Sequence, residues 1–91
     1  MTLARVRAWR AAQRRRQAVV PRALQEFRAR RGYAPMNGYV LHLGPGKAIV
    51  RVTYMTDHIP PDRAWFSVSE VDSAVRELTF ADVAHLETPW R

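Results

Sequence analysis

The sequence predicts an α+β domain: a long arginine-rich N-terminal helix, kinked or broken near Pro21, then a small barrel-like antiparallel sheet of four to five strands, then a short C-terminal element. Three observations predict it. Residues 3–31 hold ten of the chain's fourteen arginines and one acid, Glu26, for a charge of +9. Apolar side chains in that stretch recur at helical spacing. After Gly32 the pattern changes to short β-rich runs separated by Gly, Pro, Asn and Asp. Residues 32–91 carry five basic and seven acidic side chains, a charge of −2, which leaves the whole chain at +7. The boundaries that follow are a basic helical arm over 1–32 and a small β body over 33–91, together one structural domain.

The arm is rich in Ala, Arg, Gln and Leu, all good helix formers. Val6, Trp9, Gln13, Val20, Leu24 and Phe27 share one face on a 3.6-residue period, and Arg7, Arg10 and Arg14 fall together on another. Gln13, Arg16 and Gln17 weaken the middle of the apolar face. The spacing therefore predicts a helix that packs at both ends and is wet between. Pro21 lacks the N–H that would bond the Gln17 carbonyl, so the helix kinks there or restarts with Pro21 as its first residue. Gly32, directly after Arg30 and Arg31, is a helix stop, and Tyr33-Ala34-Pro35 does not continue it.

In the body, Met36-Asn37-Gly38 reads as a turn and residues 39–43 as a strand. Gly44-Pro45-Gly46-Lys47 is a tight turn, and residues 48–56 form a second strand, completing an antiparallel hairpin. Ala48, Val50, Val52 and Tyr54 share one face of that strand, with Ile49, Arg51, Thr53 and Met55 opposite. Residues 57–62, with adjacent prolines, form a loop. Residues 64–69 make a third strand, Asp72-Ser73 a turn, and residues 75–79 a fourth strand. Thr79 stands three residues before Asp82, an approximate helix-start box, so Phe80 to Glu87 is a short helix with Val83 and Leu86 inward. The alternative is a fifth strand through residues 83–86. The last four residues form a tail whose Trp90 folds back on the body.

Several chemistries have no candidate. The chain has no cysteine, which excludes disulfides and thiolate zinc sites. His42, His58 and His85 lie on three separate elements without metal-ligand spacing, so no metal or cofactor is expected. Gly44-Pro45-Gly46-Lys47 lacks the four intervening residues and following helix of a phosphate loop. No nucleophile is paired with a base, which predicts a non-enzyme. No apolar run approaches a membrane span. An acid-free, Arg- and Ala-rich start also fits a mitochondrial presequence, but it lacks Ser and runs unbroken into Leu24 and Phe27. The expectation is a cytoplasmic protein.

The charged arm points to partners. Guanidinium groups fork onto phosphates and release counterions, so Arg7, Arg10, Arg14, Arg15, Arg16, Arg22, Arg28, Arg30 and Arg31 are the candidate nucleic-acid-binding residues. The bland reading makes them the solvated face of a surface helix. A different class of function is a small adaptor or inhibitor, of the kind phages and plasmids encode, docking its helix on an acidic surface of a larger nucleic-acid-handling complex. Its partner-binding anchors are Trp9, Val20, Leu24 and Phe27, with Trp65 on the sheet. A sheet face bringing Arg51, Thr53 and Trp65 together makes a second contact patch. Val6, Gln13, Val20 and Phe27 recur every seven residues, which admits a homodimer through the helix.

Overall fold

The computed structural model describes residues 2–87. Helix α1 spans Leu3–Arg31, strands β1 to β4 span Asn37–Gly44, Lys47–Tyr54, Asp62–Ser69 and Val75–Leu78, and helix α2 spans Phe80–Glu87. The strands form one antiparallel sheet in the order β1-β2-β3-β4. The hydroxyl of Thr2 caps the start of α1 by accepting from the Arg5 N–H at 3.3 Å. Gly32 ends α1 in the left-handed region, φ 84°, with its N–H donating to the Arg28 carbonyl.

One open alternative is decided here and one expectation corrected. Of the two outcomes at Pro21 the chain takes the single helix, with α1 running through it. Pro21 lies on the exposed side, where the Gln17 carbonyl it orphans can turn to water instead. The sheet is not a barrel, because β1 and β4 remain separate edges. β4 is only four residues long and pairs along Trp65↔Leu78 to Val68↔Val75, too short a strand to carry the sheet around to β1. Residues 83–86 belong to α2, so the strands number four among the described residues.

The pleat sends alternate residues to opposite faces. On one face Ala48, Val50, Val52, Ala64, Phe66 and Val68 are buried beneath Val19, Ala23 and Phe27 of α1, and this is the core. Asn37 and Gly38, read as a turn, are inside β1. A Cβ on Gly38 would stand 3.0 Å from Val20 Cγ1 and 3.2 Å from Leu24 Cδ2, so the absent side chain is what lets α1 lie close on the edge strand. The opposite face carries Ile49, Arg51 and Trp65, and α2 crosses it, touching β1 and β3. Trp65 packs on Phe80 with ring centroids 5.6 Å apart. The start of α2 is fixed as the Thr79–Asp82 spacing predicts, with the Thr79 N–H and hydroxyl donating to Asp82 Oδ2 at 2.9 and 3.0 Å. The tail and Trp90 lie outside the described residues.

Candidate functional site

Helix α1 is longer than the sheet it lies on. Its 29 residues make about 43 Å at 1.5 Å per residue, whereas an eight-residue strand makes about 27 Å. Arg15 is the last α1 residue toward the N-terminus with a hydrogen bond to the sheet. Its Nε–H donates to both Glu70 oxygens, at 3.1 and 3.0 Å, and Nη2 donates to the Gly44 carbonyl. The Arg15–Glu70 hydrogen bond, aided by the Arg15 and Arg22 charges against an opposing burial effect, holds the Glu70 carboxyl below its ordinary value. Among the described residues, 3–14 make no hydrogen bond or ion pair to the sheet.

Trp9 and Phe27 show where the sheet stops. They stand 18 residues apart, which is about five turns and so the same azimuth. Phe27 is 0% exposed in the core, and Trp9 is 63% exposed. The helix thus packs at one end only, and the predicted packing around Val6 and Trp9 is not made. Phe27 is withdrawn as a partner anchor, because it is sealed against its own sheet, in edge contact with Tyr33 and tilted against Tyr54. Val20 and Leu24 pack against that same core and Gly38. The seven-residue seam proposed for a homodimer is therefore occupied internally from Val20 onward. Trp9 alone of the helix anchors stands open.

The arginines divide in the same way. Arg31 forks onto Glu77 at 3.2 and 2.8 Å and lies 5.3 Å over the Phe27 ring. Arg30 bonds Glu26 at 2.7 Å and approaches Glu77 at 3.8 Å. Arg15, Arg30 and Arg31 are thus tied to the chain's own carboxylates, and they leave the set of free phosphate contacts. Arg22 is half-buried, with Nη2 enclosed and unbonded. Arg16 bonds the neutral Gln13 side chain at 2.8 Å. Arg5, Arg7, Arg10, Arg14 and Arg28 are exposed and meet no carboxylate among the described residues.

The second patch is likewise used internally. Arg51 and Trp65 are register partners on the face under α2. Arg51 Nη1 donates to Glu87 Oε1 at 2.9 Å, and Trp65 Nε1 donates to Glu87 Oε2 at 2.6 Å. The Glu87 side chain is only 6% exposed. Trp65 and Arg51 therefore clamp α2 to the sheet instead of facing a partner. Tyr39, also in register with Arg51, carries the Arg51 guanidinium 5.3 Å from its ring centroid yet stays 60% exposed.

Three clefts follow one flank of α1, the flank toward edge strand β1. The first, about 520 Å³, is formed by Arg5, Val6, Trp9 and Arg10. The second, about 450 Å³, is formed by Arg16, Gln17, Val20 and Pro21 with Gly38, Tyr39 and Val40. Its helix residues are those of the first moved eleven positions on, about three turns and 16 Å along the axis. The third, about 250 Å³, lies between Leu24, Gln25 and Arg28 and the segment Ala34-Pro35. Gln17 and Arg28 are again eleven apart, which keeps the three clefts on one side. An arginine lines each cleft and no acid lines any of them. The arginine row was legible in sequence; the second and third grooves were not, because they require the β1 edge and the Ala34-Pro35 segment alongside α1. Among the described residues no three His, Asp or Glu side chains converge as a metal site, and no helix is long and apolar enough to cross a membrane. No family model, curated protein or solved structure matches this chain.

Proposed function

We propose that this chain is a non-enzymatic nucleic-acid-binding module that lays the exposed half of α1 along a phosphate backbone. The observation that supports it is the row of arginine-lined, acid-free clefts on one flank, continued by Arg7 and Arg14. Guanidinium groups without internal partners retain their full capacity to fork onto phosphates. A linear polyanion suits a linear array of this kind better than a compact ligand does. Three-turn spacing along about 34 Å of helix, from Arg5 to Arg28, offers repeated contact to a repeating backbone.

The test is charge reversal where no structural role exists. Arg7→Glu, Arg10→Glu and Arg14→Glu together keep good helix formers at exposed sites. Arg15 is excluded from the set because it holds the sheet. The triple variant loses binding to short DNA and RNA while keeping its thermal midpoint. Retained binding in a folded triple variant defeats the proposal.

The exposed Leu3 and Trp9 on the free end of α1 favour a second reading, a small adaptor or inhibitor docking on an acidic protein surface. Under it, Trp9→Ala weakens capture of an acidic partner more than the arginine reversals do, and short nucleic acids do not compete.

A further inference from the structure

The exposed Trp9 indole marks the kind of nucleic acid. Resting on the proposed nucleic-acid reading, we infer that the chain takes single strands, with an unpaired base stacked on Trp9 in the first cleft.

In the first cleft an apolar floor, Val6 and the Trp9 ring, lies between two guanidinium groups, Arg5 and Arg10. A flat apolar group carrying negative charge beside it complements that arrangement, and an unpaired nucleotide is such a group. A duplex keeps the faces of its bases inside the stack, where an exposed indole cannot reach them without flipping one out. A single strand offers a π-face at every base, and stacking tolerates any sequence. The second cleft adds a further cation, Arg16, beside Val20, Pro21 and the β1 edge; the Tyr39 ring stands with Arg51 on the other face of the sheet. A second copy of this chain is a poor occupant: docking two Trp9 faces together would set Arg5 and Arg10 of both copies against one another.

The experiment measures binding of the full chain to unpaired DNA and RNA oligonucleotides, to a duplex of equal length, to heparin, and to an acidic peptide bearing one Phe. The variants are Trp9→Ala, Trp9→Phe, Tyr39→Ala and Arg10→Glu. Trp9→Ala is expected to weaken single-strand binding by about five- to 150-fold, the range for one lost stack. Trp9→Phe recovers part of that loss, Tyr39→Ala, on the other face of the sheet, leaves binding unchanged, and heparin binding is unchanged in all three. The DNA and RNA arms decide which strand is preferred. Equal losses on duplex and single strand overturn the single-strand inference and leave the nucleic-acid reading standing. No loss in Trp9→Ala beside a loss in Arg10→Glu overturns stacking alone. Binding to heparin only defeats the nucleic-acid reading and the inference with it. Trp9-dependent binding to the acidic peptide, with no nucleic-acid binding, replaces both with the protein-partner reading.

Discussion

Arg15 and Glu70, 55 residues apart in sequence, form a forked ion pair that fastens the middle of α1 to the tip of the sheet. The same guanidinium reaches the Gly44 carbonyl, so one side chain holds two turns of the body. Replacing either partner strands the other. Arg15→Ala and Glu70→Gln should each lower the thermal midpoint, and the double variant should fall no further than the worse single one. Thermal denaturation of the three variants checks this; additive losses would show that the pair is not coupled.

The pair also predicts an acid dependence. Hydrogen bonding from Arg15 lowers the Glu70 carboxyl from 4.5. Bonds from Ser69 and the Ala74 N–H lower Asp72, and bonds from the Thr79 N–H and hydroxyl lower Asp82, both from 3.8. A carboxyl lowered by folding contributes stability above its unfolded value, and that stability disappears as pH falls through the lowered value. The urea midpoint should therefore hold near neutral pH and drop below 4.5. In Glu70→Gln the drop should be shallower, which a urea series at several pH values measures directly.

Phe27 and Trp9 share an azimuth but not a fate. Phe27→Ala opens a cavity under α1 and should cost about 3–5 kcal/mol. Trp9→Ala removes an exposed ring and should stay within about 0.5 kcal/mol. Chemical denaturation of the two variants side by side tests whether the free end of α1 contributes to folding.

Gly38→Ala should cost about 1–3 kcal/mol, because the new methyl crowds Val20 Cγ1 and Leu24 Cδ2, which must give by a few tenths of an ångström. Equilibrium unfolding reads the cost.

Salt is the remaining lever. If four arginines, Arg5, Arg7, Arg10 and Arg14, meet phosphates, the plot of log affinity against log salt should slope at about −2.8 on single strands and about −3.6 on duplex. Each arginine removed should flatten it by about one unit or slightly less. A fluorescence titration over several salt concentrations provides the slope.

Much of the fold was legible in the residues. Gly32 as the helix stop, the hairpin through Pro45-Gly46 and the short helix from Phe80 to Glu87 all follow local rules, and local rules can be read locally. What failed was non-local. The azimuth shared by Trp9 and Phe27 is visible in the period, but the period cannot say how far a sheet extends beneath a helix. Sheet closure depended on how β4 could meet β1, which no single strand encodes. The second cleft exists only because the β1 edge lies against Gln17 and Val20, and Arg15, Arg30 and Arg31 left the site only because Glu70, Glu26 and Glu77 reach them.

The protruding half of α1 gives the molecule a front and a back in an electric field. Its leading turns are cationic while the sheet behind them is faintly anionic, so a polyanion attracts one end and weakly repels the other. If the proposed function holds, such a particle would turn as it diffuses toward a polyanion and arrive with Trp9 foremost. Encounter speed should then depend on ionic strength, while the lifetime of the complex depends on what the ring touches.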